Sequence, residues 1–173
     1  MIMKAAATVM IIAASGIWGL SGARRLSERQ EQLGDLKMAL AYLDKEISYL
    51  HTNLSQALQN TAGFTRWPVN SLFATAAQEL SRKKGITADE AWLQGIKALQ
   101  AESQLCPKDM ELLATLASQL GTSSAFEQNK TLTALGEELA LLQLKARQET
   151  DSNHKLWSYG GFIIGTAIVL LLI

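Results

Sequence analysis

The chain has one cysteine, two histidines and two prolines in 173 residues. A lone Cys106 excludes an internal disulfide framework and fits a reducing compartment. With His51 and His154 as the only histidines, there is no pair of ligands at metal spacing and no nucleophile–histidine–acid set. No glycine-rich phosphate loop is present either. Net charge is also lacking: sixteen basic side chains balance sixteen acidic ones, which leaves no footprint for nucleic acid. Aromatics are few, at 6%, and runs of Val, Ile, Thr and Tyr are missing, so a strand-rich fold is excluded in favour of an all-α one. The adjacent acids Asp89-Glu90 and Glu137-Glu138 diverge by about 100° around a helix, which makes them solvated faces rather than an acid–base pair. These absences point away from an enzyme and predict no metal and no cofactor.

Charge is missing most completely from the two ends. Every acidic residue lies between Glu28 and Asp151, and Lys4 is the one basic residue outside Arg24–Lys155. From Ala5 to Ala23 an uncharged helix would span roughly 28 Å, close to a hydrocarbon core of about 30 Å. The competing reading is a signal peptide, with Lys4 as its basic start and Ser21-Gly22-Ala23 as the cleavage site. The other end, 156–173, is uncharged and closes on Ile168-Val169-Leu170-Leu171-Leu172-Ile173, with Trp157 and Tyr159 placed as belt aromatics. Gly161 and Gly165 make a small-xxx-small pair. The sequence thus predicts a transmembrane helix over 1–23, a helical bundle over 24–155 and a second transmembrane helix over 156–173. Arg24, Arg25 and Arg29 after the first span, and His154-Lys155 before the second, put the bundle in the cytoplasm by the positive-inside rule.

The middle is dominated by one stripe. Leu26, Leu33, Leu36, Leu40, Leu43, Ile47, Leu50, Leu54 and Ala57 recur at steps of three and four, with one site skipped after Leu26. Ser27 with Gln30 predicts a helix start, and His51-Thr52-Asn53 interrupts the helix after Leu50, with Thr52 or Asn53 capping a shorter continuation. Gly63 and Trp67-Pro68 mark a turn, with Pro68 suited to the first turn of a helix carrying Leu72, Phe73, Ala76 and Leu80. That helix ends in Arg82-Lys83-Lys84 before Gly85. Thr87 with Glu90 forms a capping box ahead of Trp92, Ile96 and Leu99, with Trp92 expected as a core anchor. Pro107 opens a helix with Met110, Leu113, Ala117 and Leu120, ended by Gly121. Ser124 with Glu127 opens a last one through Phe126, Leu132, Leu135, Leu139, Leu142 and Ala146. The fold predicted is an antiparallel bundle of five to six helices, flanked by N- and C-terminal transmembrane helices.

A second stripe, Tyr42, Glu46, Tyr49 and Asn53, lies about 100° from the leucine seam. It is either covered by neighbouring helices or a docking face, since aromatics with a polar tip suit interfaces. Tyr42, Glu46 and Tyr49 are the partner-contact candidates.

Leu40-x-x-Leu43-x-x-Glu46-Ile47-x-Tyr49-x-x-Thr52-x-Leu54-x-x-Ala57 resembles the first-helix signature of the stage III sporulation protein AB family. Glu90-Ala91-Trp92 is similar to its Ala-Trp motif, and Leu116-x-x-x-Leu120-Gly121 followed by Gln128 to its third. The order of motifs and the layout of span, helical domain and span match across nearly the whole chain. Ser124 stands where that family's pattern has Asp, which leaves the cap possible but puts a binding role for that carboxylate in doubt. The resemblance implies an endospore-forming bacterium and a mother-cell membrane protein facing the forespore. It also implies a place in a secretion-like complex with the other stage III subunits, a cytoplasmic secretion-type ATPase among them, and a possible homo-oligomer. Platform proteins of type II secretion and type IV pilus machines are similar to this family. A signalling or sensor module anchored in the membrane is the alternative.

Overall fold

The computed structural model describes residues 2–82, 85–117 and 132–150, with backbone alone for 2–20 and 23. Within these residues the chain is all-helical. α1 runs Ile2–Asp44, α2 Leu54–Phe64, α3 Val69–Ser81, α4 Ala88–Glu102 and α5 Pro107–Ala117. A sixth helix, α6, covers 132–150. The chain divides into two compact units, residues 31–143 and residues 1–30 with 144–173.

Several helix ends depart from the sequence reading. α1 does not start at Ser27, which lies inside it. No breaker separates Ala23 from Leu26, so the backbone N–H groups after Ser27 already have helical partners and nothing is left to cap. α1 also stops short of Leu50. It ends at Asp44 and passes into a π-helical turn, Lys45–Tyr49, closed by the Leu50 N–H on the Lys45 carbonyl at 3.1 Å. A π turn holds one residue more per hydrogen bond than an α turn, so the seam loses phase there. Leu33, Leu36, Leu40 and Leu43 are fully buried as the stripe requires, but Glu46 takes the next inward place and Leu50 is 54% exposed. Asn53 caps α2, accepting the Gln56 N–H at 2.9 Å. Pro68, joined to Trp67 by a cis peptide, is the N-cap of α3 rather than part of its first turn. Arg82 is the C-cap of α3, Lys83 and Lys84 lie outside the described residues, and Gly85 has φ +71, the left-handed conformation glycine adopts freely. The capping box of Thr87 and Glu90 forms as its spacing predicts.

Within residues 31–143 the helices from α1 to α4 pack antiparallel in succession. Tyr42 stacks on Phe64 while Glu46 meets Asn60, so α1 and α2 run in opposite directions. Ser55 near the start of α2 shares a hydrogen bond with Ser81 at the end of α3. Trp67, just before α3, donates to Glu102 at the end of α4. Trp92 is the largest fully buried side chain; its ring meets Phe73 edge-on at 5.7 Å and its Nε1 donates to the Leu113 carbonyl at 2.9 Å. Together with Leu72, Leu99, Leu113 and Leu116 it makes a core in which each side chain contributes about 1.5–3 kcal/mol by burial. α3 and α4 approach so closely at Gly95 that a Cβ there would collide with the Leu72 carbonyl oxygen. Leu132, Leu135, Leu139 and Leu142 are buried along α6, as their spacing predicts.

In the other unit Arg24 pairs with Glu28 at 2.7 Å, Arg29 pairs with Glu149 at 3.3 Å, and Ala146 is buried. Among the described residues no helix is long and apolar enough to cross a membrane. The expected span over 156–173, and the expected Ser124–Glu127 cap with Phe126, Leu120 and Gly121, lie outside the described residues. The expected span over 1–23 falls on the start of α1, so the structure lends neither span direct support.

Candidate functional site

The structure separates the four residues of the second stripe. Tyr42 is half-buried, its ring parallel to Phe64 at a centroid distance of 4.6 Å and 6°. Glu46 is buried, at 5% exposure. Its carboxylate accepts the Asn60 amide at 3.1 Å, and the side chains of Thr52 and Tyr42 also bond to it. Tyr49 is 80% exposed, and Asn53 is committed to capping α2. The π turn is the physical reason. It rotates Tyr49 away from the line through Tyr42 and Glu46, so a straight α-helical projection does not hold past Asp44.

The electrostatics of this corner follow from its donors. Hydrogen bonds from Thr52 and Asn60 hold the Glu46 carboxyl below the usual glutamate range; burial opposes them, and Tyr42 and the Lys45 charge assist. The same contact raises the Tyr42 phenol, first through the hydrogen bond to Glu46, then through burial and the carboxylate charge. His51, at the end of the corner, adopts φ 53, uncommon for a residue with a side chain. The corner is therefore a satisfied polar knot rather than a reactive centre. A buried carboxylate with three neutral donors and no nucleophile has nothing to activate.

Phe64, Asn60 and Thr52 complete the knot; sequence reasoning singles out neither Phe64 nor Asn60, and reads Thr52 as an interruption and cap of the helix. Phe64 and Asn60 meet α1 only because α2 folds back on it, and no spacing along one helix encodes that pairing. Asp109 was also missed. It is fully buried, and its Oδ2 accepts the Cys106 N–H at 2.9 Å at the start of α5. Cys-Pro-x-Asp there was a legible start signal, with Asp at the third helical position. Among the described residues no three His, Cys, Asp or Glu side chains gather to hold a metal.

The family model for stage III sporulation protein AB matches residues 4–173. The stage III sporulation protein AB of Bacillus subtilis (strain 168) is 30% identical over 170 residues, covering 98% of this chain and 99% of the relative. A solved structure of stage III sporulation protein AB is similar in fold, with a TM-score of 0.66 and 29% identity over 71% of this chain and 96% of the other. Neither relative bears the name of an enzyme. With family model, relative and solved structure all pointing the same way, the chain belongs to the stage III sporulation protein AB family.

Proposed function

We propose that this chain is a non-enzymatic platform subunit of a secretion-like complex joining mother cell and forespore during endospore formation. The observation that carries the reading is the family match over residues 4–173, which takes in both uncharged ends as well as the helical middle. The ends, 1–23 and 156–173, serve as membrane anchors on the strength of their composition. Residues 24–155 stand in the mother-cell cytoplasm, as the arginines after the first anchor favour. There they present a rigid helical surface to other stage III subunits and to a secretion-type ATPase. Buried Asp109 is tied up in a helix cap and buried Glu46 in the knot, which suits a part that holds others in place.

Two measurements test this. Fusions of an export-dependent reporter after Gly121 and after Ile173 should be inactive at the first site and active at the second. Activity at Gly121 would refute the cytoplasmic placement. In an endospore former that lacks its own stage III AB gene, the full chain should restore heat-resistant spores, and a chain cut after residue 155 should not. Full rescue by the truncated chain would remove the membrane anchor from the proposal.

A further inference from the structure

Beside the Glu46 knot lies a surface that the proposed function leaves unused. Asp35 and Met38 of α1, with Phe64, Thr65 and Arg66 at the end of α2, line a concavity of about 270 Å³. Met38 and Phe64 are 54% and 53% exposed within it, two large apolar groups side by side on the same surface. Single exposed apolar side chains are ordinary, but a contiguous pair set in a concavity marks a contact surface. Phe64 is also held in place beforehand, because Tyr42 stacks on its ring from below. An anchor fixed before binding loses little freedom on binding.

The charges at this concavity say what it binds. Asp35 and Arg66 both line it, and among the described residues neither side chain has a hydrogen-bond or ion-pair partner. An occupant must therefore offer an apolar group flanked by one cation and one anion. The chain carries that set on this same surface. An isologous interface pairs one patch with itself, so a two-fold arrangement in which Asp35 of each copy meets Arg66 of the other would bring Met38 and Phe64 of both copies together. Methionine, aromatic and arginine side chains are also the types enriched where proteins meet. We propose that this surface is a two-fold interface between copies of the chain. The interface does not depend on the membrane anchors or on the partners named above.

Site-specific cross-linking of the full chain in native membranes tests it. The chain carries Met38→Cys, with Cys106→Ser to remove the native thiol, and copper phenanthroline serves as the oxidant. Residue 38 lies near the axis, so a disulfide-linked dimer is expected. Association through the apolar ends alone would not bring this position together. In that background Asp35→Arg sets cation against cation, and Arg66→Asp sets anion against anion. Each should lower the cross-linked fraction by about tenfold. Co-expressed, the two charge variants form mixed dimers with both pairs complementary, and the cross-link should return between differently tagged chains. Both substitutions are at exposed or half-buried positions, and an unchanged melting temperature for each shows that the fold is intact. Three results would each overturn the proposal: no cross-link at position 38, charge variants that cross-link like the parent, or no recovery in the mixture. The surface would then belong to a different protein with the same cation–apolar–anion pattern.

Discussion

The indole Nε1 of Trp92 donates to the carbonyl oxygen of Leu113 at 2.9 Å, across the contact between α4 and α5 and out of reach of solvent. One side chain thus fills the core with its ring and satisfies a buried acceptor with its edge. Trp92→Ala should lower stability by about 3–5 kcal/mol, the usual effect of emptying an aromatic core site. Trp92→Phe keeps much of the volume but leaves the carbonyl without this donor, and should cost about 1–3 kcal/mol. Chemical denaturation followed by circular dichroism separates the two. A Trp92→Phe variant as stable as the parent would mean that the hydrogen bond contributes nothing.

The close approach of α3 and α4 makes a paired prediction with glycines. Gly95→Ala drives a methyl into the Leu72 backbone, which cannot move aside as a side chain tip would. A loss of about 1–3 kcal/mol is expected from overpacking. Gly63→Ala, in α2 with open space around the added carbon, should instead gain about 0.5–1 kcal/mol by helix propensity. Opposite shifts in melting temperature confirm the contrast; a neutral Gly95→Ala would show that the helices separate easily.

Glu46 gives a pH dependence whose sign is fixed. Its carboxyl lies lower in the folded chain than in the unfolded one, where glutamate titrates near about 4.3. The stability it contributes is present above that unfolded value and is lost as pH falls through the folded one. Glu46→Gln keeps the size but removes the charge. The melting temperature of the parent chain should fall more steeply on acidification than that of the variant. Parallel pH profiles would show that the knot is indifferent to the charge.

Cys106 and Asp109 allow a local test. Asp109→Ala leaves the Cys106 N–H without its carboxylate at the start of α5 and should cost about 1–2 kcal/mol, as loss of a helix cap does. Alkylation of the Cys106 thiol, half-exposed in the folded chain, should also speed up as this turn loosens. An unchanged alkylation rate would mean that Pro107 alone fixes the helix start.

The parts of the fold legible in the sequence are those encoded within one turn of chain. Thr87 with Glu90, the Asn53 cap, Pro107 at its helix start and the leucines of α6 depend on neighbours three or four residues away, and spacing reveals them. The start of α1 is not legible, because Ser27 with Gln30 has the pattern of a cap in a place where no helix end exists. Projection on an ideal helix groups Tyr42, Glu46 and Tyr49, and the projection fails at the π turn, where the hydrogen-bond span changes. The Tyr42–Phe64 stack, the Glu46–Asn60 bond and the meeting of Asp35 and Arg66 at one concavity depend on which helices lie together. Periodicity along a single segment carries no such information.

The π turn at Lys45–Tyr49 has a bearing on how relatives are to be aligned. Upstream of it the buried positions keep one phase, through Leu36, Leu40 and Leu43, and downstream Ala57, Leu58 and Thr61 keep another. The extra residue is absorbed in the turn itself, so neither packed surface has to move. A relative with one residue fewer between Leu43 and Asn53 would therefore keep both surfaces and lose only the exposed knuckle at Tyr49 and Leu50. Gaps in an alignment belong at that knuckle, and the two halves of the stripe are best counted as separate frames.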